Sequence, residues 1–575
     1  MKFIPTTRHE LRDLGWNRLD VVLVSGDTYV DSPYMGVAVI GRVLLAAGYR
    51  VGIIAQPDCS DSRDIARLGE PALFWGVTAG AVDSLVANYT ATGKRRKSDD
   101  MTPGGANTRR PDRALIVYTN LIRRYFKPTV PIVLGGIEAS LRRISHYDLR
   151  SGKIRRSVLF DAKADYLVYG MGETAVLELA TDLRARRQGR AIRGLCYISR
   201  TIPPRDGEFP EPPVELPAHP QVADDPVRFA GMFRAFYRNS DPATASRLVQ
   251  RQDNRYLVQN PPSRPLTGKE LDRIHELPYA LAAHPHYRRQ GAVKALETIR
   301  FSLTTHRGCY GECRFCAITV HQGRRVVSRS RESLLREAAG FVKHPGFKGI
   351  IADVGGPTVN MYGFECPRKI NQGACPDKAC LFPRTCKHLP VNHRPQLELL
   401  RALRRLPGVR RVFVGSGLRY DLVLADQQSG ADYLENLLRH HVSGQLKIAP
   451  EHSEKEVLDL MGKPAAGQLK AFLALYRSMN KKIPQPTFLT YYLMAAYPGC
   501  SSRHMQNLRT FAQRHFGHLP QQVQVFTPTP ATLATLMYHT QTDPVSGRKL
   551  FVEKNPQQKQ RQKDIITRKP RQRRT

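Results

Sequence analysis

Tryptophan is nearly absent from this chain, with two among 575 residues, and no stretch reaches the roughly 18 uninterrupted apolar residues that a membrane-spanning helix requires. No transmembrane segment is expected. Met1 to Asp20 mixes Arg, His, Glu and Asp and has no apolar core of the kind a secretory signal carries, so the cytoplasm is the expected address. Cysteine is sparse, at ten positions, which is too few for a disulfide scaffold. In a reducing compartment such thiols stay available to metals. Acidic residues are also short, 50 against 88 Lys and Arg, and the resulting net charge of +38 makes a field that attracts nucleic acid or another polyanion without reading its sequence. An apolar share of 41% and a charged share of 24% exclude a wholly disordered chain.

The length predicts more than one domain, because single cores rarely grow much beyond about 250 to 300 residues. Residues 1–200 alternate short β-branched runs with helical spacing: Asp20 to Val24, then Gly36 to Gly48, then Val51 to Ile54, Leu73 to Val77, Ile132 to Leu134 and Tyr166 to Tyr169. This alternation predicts a Rossmann-like parallel sheet with helices on both faces. Gly93 to Arg113, rich in Lys, Arg, Gly, Pro and Asp, reads as an exposed loop. Residues 201–297 are dense in proline and read as a linker or wrapping segment. A second alternation, over 298–527, places six strands near 299–304, 349–354, 411–414, 446–449, 488–494 and 523–526. Six β/α units predict a partial (β/α)6 barrel, two units short of a closed one. Residues 528–575 form a C-terminal extension; from Glu553 onward nine Lys/Arg face two acids, which reads as a basic disordered tail.

Seven of the ten cysteines fall between Cys309 and Cys386. The run Thr304-Thr-His-Arg-Gly-Cys309-Tyr-Gly-Glu-Cys313-Arg-Phe-Cys316 puts three thiols within eight residues, directly after a predicted strand. Three thiolates satisfy three irons of a 4Fe–4S cubane and leave the fourth iron open to a chelating ligand. A zinc site would instead need a fourth ligand, for which His306 or His321 could serve. Four further thiols, Cys366, Cys375, Cys380 and Cys386, sit on a Cys-rich insertion over 362–390. They could hold zinc or a second Fe–S cluster, or remain reduced thiols in a Pro-rich loop; the spacing matches neither standard metal pattern.

Cys-x3-Cys-x2-Cys with Phe315 before the last cysteine resembles the radical S-adenosylmethionine (SAM) signature. The resemblance implies that Cys309, Cys313 and Cys316 hold the cluster and that Phe315 lies near the SAM adenine. It further implies that the open iron chelates SAM, whose reductive cleavage yields methionine and a 5′-deoxyadenosyl radical. Asp353-Val-Gly355-Gly356-Pro357-Thr358 is similar to the family's Gly-Gly-Glu turn, which implies SAM contact by Gly355 and Gly356, although Pro357 replaces the acid. Ile448 to Lys463 and Met494 to Gly499 are similar to the fourth and fifth strand regions of the methylthiotransferase subgroup.

A narrower resemblance, to the YgiQ-type radical SAM family, rests on Asp27-Thr-Tyr-Val-Asp31-Ser-Pro33, Thr102-Pro-Gly-Gly, Arg110-Pro-Asp-Arg113, Gly135-Gly-Ile-Glu-Ala-Ser140 and Ala531-Thr-Leu-Ala-Thr-Leu-Met-Tyr-His539. It implies a low-potential donor such as flavodoxin or ferredoxin and leaves the substrate unassigned, with RNA as one candidate given the charge. The first domain is similar to the cobalamin domains that precede some radical SAM barrels. Pro33, however, stands where their cobalt-ligating His would be, and proline offers cobalt no lone pair. Cobalamin is therefore disfavoured as a cofactor. Two other accounts remain open: a zinc-dependent nucleic-acid-binding protein without catalysis, and a cobalamin-dependent radical methyltransferase.

Overall fold

In a computed structural model the chain is described over residues 3–520 and 523–567. It divides into two compact units. The first comprises residues 1–90, 95–300 and 320–323, and the second comprises residues 91–94, 301–319 and 324–575.

The first unit is built on a nine-stranded sheet in the order Val214–Leu216, Leu248–Gln252, Arg255–Gln259, Leu195–Ser199, Tyr166–Val168, Ile132–Gly135, Phe74–Thr78, Val21–Ser25, Val51–Ala55. The last five run parallel to one another, and pairing turns antiparallel where Tyr166–Val168 meets Leu195–Ser199. Val21–Ser25 and, at the sheet's edge, Val51–Ala55 are buried at every position, as expected of parallel strands covered on both faces. The predicted alternation is therefore real, but the boundary near residue 200 is corrected. Residues 201–297, expected as a linker, supply the strands Val214–Leu216, Leu248–Gln252 and Arg255–Gln259 and the helix Pro226–Arg238, whose Phe229, Met232, Phe233 and Phe236 are buried. Proline density misled here, because most of the prolines lie between these elements and others, such as Pro226, open a helix, where no backbone donor is missed.

The loop expected to be exposed between Gly93 and Arg113 is exposed over residues 93–98 but anchored further on, since Thr102, Asn107 and Arg110 are buried. Arg110 donates to Asp27 at 2.6 Å and to Asp99 at 2.9 Å, all three side chains being shielded from solvent. Nearby, Arg142 pairs with Asp83 at 2.8 Å and Asp148 at 3.0 Å, and Arg113 reaches Asp148 at 3.0 Å. Asp27, Arg110, Arg113 and Glu138 all belong to the motifs that carry the narrower resemblance. They follow, or pack against the segments that follow, the carboxyl ends of Val21–Ser25, Phe74–Thr78 and Ile132–Gly135.

In the second unit strands form at all six predicted places, as Ser302–Thr304, Ile350–Ile351 with Asp353–Gly355, Arg411–Val412, Gln445–Glu451, Phe488–Ala495 and Gln524–Val525. Their pairings are parallel and fall into three groups, Ser302–Thr304 with Asp353–Gly355, Ile350–Ile351 with Arg411–Val412, and Gln445–Glu451 with Phe488–Ala495 and Gln524–Val525. Ser330 caps the helix Arg331–Val342 by accepting from the Ser333 N–H at 3.1 Å.

The disordered tail is corrected as far as the described residues reach. Pro556–Thr567 is a helix with Lys559, Gln562 and Ile566 buried. Its Gln562 amide accepts from the Ala496 N–H at 3.0 Å and donates to the Cys500 carbonyl at 3.1 Å, so the segment continues the core instead of trailing from it. Composition could not reveal this, since a helix with few apolar residues gains its stability from tertiary contacts. Residues 568–575 of the expected tail lie outside the described residues.

Arg110→Met should destabilise the first unit by about 3 to 5 kcal/mol, because Asp27 and Asp99 would stay buried without their cation. Urea unfolding followed through the near-ultraviolet signal should show an earlier transition, with Arg110→Met/Asp27→Asn recovering part of the loss.

Candidate metal centre

Gly308 opens the cysteine loop with φ +81°, and a Cβ there would fall 1.8 Å from the Arg325 carbonyl oxygen, so only glycine fits this turn. Cys309, Cys313 and Cys316 follow, all half-buried and none in a disulfide. The loop has little regular structure, and outside contacts hold it. The Arg314 N–H donates to Met461 O at 3.0 Å, and the Arg314 carbonyl accepts from Ala534 N–H at 2.8 Å. Glu312 sits in the left-handed region at φ 46° and is gripped by Lys369 at 2.9 Å and Arg324 at 3.4 Å. For Lys369, burial works against the charged form, but Glu312 outweighs it and the amine is held above its ordinary pKa.

Burial pushes the Cys309 thiol up, and burial with the neighbouring thiols pushes Cys316 up to about 12. Without a metal these sulfurs are thus kept protonated, and the set favours a cation that would take them as thiolates. The hydrogen bonds to them are weak ones: Gly311 N–H to Cys309 Sγ at 3.3 Å, Thr358 Oγ1 with Cys309 Sγ at 3.7 Å, and Arg419 NH1 to Cys313 Sγ at 3.7 Å. Three thiols engaged by weak bonds, a bare Gly311 between two of them and a cation beside them fit an iron–sulfur cluster bound through three cysteines.

Gly355 ends the strand Asp353–Gly355, paired with Thr304. Gly356 has a packing reason to be glycine, because a Cβ there would lie 2.6 Å from the His306 ring and 2.8 Å from the His306 carbonyl oxygen. His306 is buried, and burial lowers its pKa to about 4. Asp353, at the head of the same motif, accepts from the Gly415 N–H at 2.7 Å and so fixes the next strand's turn. Phe315 meets Tyr497 edge to face at 6.2 Å, and Tyr497 in turn contacts Phe526 at 5.1 Å.

The second cysteine set is only partly gathered. Cys366 and Cys380 are buried in one apolar cluster with Tyr310, Phe364 and Leu381, and Cys386 and Cys309 each pack against its margin. Cys375 is outside that cluster. Among the described residues no three His, Cys, Asp or Glu side chains converge closely enough to hold one metal ion. Burial raises the Cys380 thiol to about 11 despite Lys369.

Several residues at the centre escaped the sequence reading. Arg419, buried, forms a two-pronged pair with Asp421 at 2.8 and 2.5 Å. Its backbone is tied to Asn360 in both directions, at 2.9 and 3.0 Å, and Asn360 meets His393, which is paired with Asp426 at 2.8 Å. Glu451 and Lys463, within the stretch that is similar to the family's fourth strand region and to which no role was given, are buried 3.9 Å apart, and burial raises the Glu451 carboxyl. Arg419 and Asp421 had one sequence trace, an Arg-x-Asp following Gly415-x-Gly417 after the third strand.

The Radical SAM N-terminal family matches residues 3–302. A UPF0313 protein of Fusobacterium nucleatum is 50% identical over 570 residues, covering 99% of both chains. One from Thermotoga maritima is 47% identical over 567 residues, covering 98% of each. One from Methanosarcina acetivorans is 46% identical over 588 residues, covering 98% of this chain and 78% of its own. Among solved structures, the radical SAM methyltransferase TsrM of Kitasatospora setae, with cobalamin and a 4Fe–4S cluster bound, superposes with TM-score 0.49 at 15% identity over 89% of this chain and 77% of its own. The cobalamin-dependent radical SAM enzyme OxsB, with aqua-cobalamin bound, gives 0.49 at 12% identity over 91% and 55%. The expectation that disfavoured cobalamin is corrected by these cobalamin-bound structures. Pro33 removes one side-chain ligand to cobalt and does not bear on any other contact a corrinoid makes.

His306 ties stability to pH. Its folded pKa, about 4, lies below the ordinary 6.5, so the folded state binds fewer protons, and the contribution present above about pH 6.5 is lost as pH falls toward 4. In denaturant titrations between pH 7 and 4, His306→Asn should show a shallower fall of the unfolding midpoint than the parent chain.

Proposed function

Because the chain belongs to the UPF0313 family of radical SAM enzymes, we propose that Cys309, Cys313 and Cys316 hold a 4Fe–4S cluster whose fourth iron is left for SAM. The observation that carries this reading is the trio of disulfide-free, half-buried thiols on one strained loop with no strong internal partners. When bound, the cluster supplies the electron that cleaves SAM to methionine and a 5′-deoxyadenosyl radical.

The chain's own residues do the rest. Gly308 and Glu312 set the loop's path, Lys369 and Arg324 hold Glu312, and the Met461 and Ala534 backbones clamp Arg314 between the thiols. Phe315, backed by Tyr497 and Phe526, offers an aromatic edge suited to an adenine ring. The Gly355-Gly356 turn packs its backbone directly against His306, on the segment that leads into the cysteine loop. A low-potential donor of the flavodoxin or ferredoxin class supplies the electron. The six parallel strands serve as a partial barrel around the centre. The +38 charge supports a polyanionic substrate, and RNA is the class to test first. Cys366, Cys375, Cys380 and Cys386 are the candidate set for a second metal, which would have to draw their thiols together on binding.

Cys313→Ala should abolish cluster assembly while the first unit stays folded. Anaerobically reconstituted protein should be brown, and dithionite with SAM should release 5′-deoxyadenosine, which the variant should not. Full iron content in Cys313→Ala, or cluster-loaded parent protein that never cleaves SAM, would overturn the reading. The same spectrum shows whether a corrinoid co-purifies, and iron and zinc per chain, compared with Cys380→Ala, report on the second site. A colourless protein with one zinc and salt-sensitive RNA binding would favour the non-enzymatic account instead.

A further inference from the structure

The guanidinium of Arg419 is buried within the second unit, although burying an unpaired cation is costly. Asp421, itself buried, supplies the counter-charge, and an arginine side chain keeps its proton at any physiological pH. Asp421 takes Nε and NH2. The remaining nitrogen, NH1, is aimed at Cys313 Sγ at 3.7 Å. Gly311 makes that approach available, since a Cβ there would fall 3.1 Å from Arg419 NH1, 3.3 Å from Cys309 Sγ and 3.6 Å from Cys313 Sγ. The residue's backbone is fixed as well. Asn360 bonds both its N–H and its carbonyl, His393 holds Asn360, and Asp426 orients His393. A chain of buried polar groups thus ends in one N–H directed at one sulfur.

We propose that Arg419 is a positioning residue that sets the reduction potential of the cluster by donating an N–H···S bond to Cys313 from a fixed, Asp421-bound guanidinium. Hydrogen bonds to cluster sulfurs and nearby positive charge stabilise the reduced state, which carries one more electron, and so raise the potential. The electron itself comes from the external low-potential donor, and Arg419 gains and loses nothing. Asp421 has a second purpose in this arrangement: it fixes the plane of the fork, so that the third nitrogen cannot swing away from the sulfur.

The inference rests on the three-cysteine cluster of the proposed function, and the test separates the two. Full-length parent protein, Arg419→Gln and Arg419→Lys are reconstituted without oxygen, assayed for iron and sulfide, and titrated against a redox-mediator series with the reduced signal read by electron paramagnetic resonance, SAM being absent. The midpoint should move to more negative potential in Arg419→Gln. It should move less in Arg419→Lys, which keeps the charge but cannot span Asp421 and the sulfur together. Either variant, cluster-loaded at the parental midpoint, overturns the inference. If neither variant holds iron, Arg419 acts in assembly alone and the electronic role is overturned. A parent protein that holds no iron is a failure of the cluster reading itself.

Discussion

Three sulfurs must be presented on one short loop whose backbone has almost no regular structure to hold it, and the second unit is arranged around this constraint. A helix or strand would satisfy its own backbone groups, but this loop borrows partners from Met461 and Ala534, segments far along the chain. Glu312, between the first two thiols, occupies the left-handed region, which costs a non-glycine residue about 1 to 2 kcal/mol. Its two ion pairs, to Lys369 and Arg324, offset that strain. Lys369 lies on the cysteine-rich insertion, so the insertion braces the loop whether or not its own thiols bind metal.

A second layer of support lies in the strand ends. Asp353 accepts from Gly415 and so links the second strand region to the turn after the third. Gly356 lies against His306, which locks the Gly-Gly turn to the segment leading into the first cysteine. The C-terminal residues take part too: Gln562 ties the last described helix to Ala496 and Cys500, close in sequence to the Tyr497 that backs Phe315. Removing apparently peripheral chain would therefore disturb the aromatic pair beside the thiols.

In the first unit the motif residues are spent on one another. Asp27, Arg110 and Asp99 form one buried ion set, and Asp83, Arg142, Asp148 and Arg113 form another, at the carboxyl side of a mostly parallel sheet. Buried ion pairs are weak evidence of stability, since desolvation opposes the attraction, but they are unforgiving of mismatch. They select one arrangement of the long Gly93 to Arg113 segment over others that composition alone would allow.

Much of the site was legible because its chemistry is local. Cys309, Cys313 and Cys316 lie within eight residues, and their identity and spacing survive whatever the rest of the chain does. The parallel strands between Val21 and Val168 and those of the second unit were also readable, because strands buried on both faces leave continuous apolar runs such as Val21 to Val24. Tertiary structure decided everything that joins residues distant in the chain. Arg419 reaches Cys313 across 106 positions and Lys369 reaches Glu312 across 57. The Pro-rich stretch 201–297 adds three strands to the large sheet because a sheet edge was there to receive them, and Pro556–Thr567 becomes helix because Gln562 finds buried partners. Local pattern and ligand spacing are properties of neighbouring residues, whereas pairing, burial and the placement of charge depend on which distant segments the folded chain brings together.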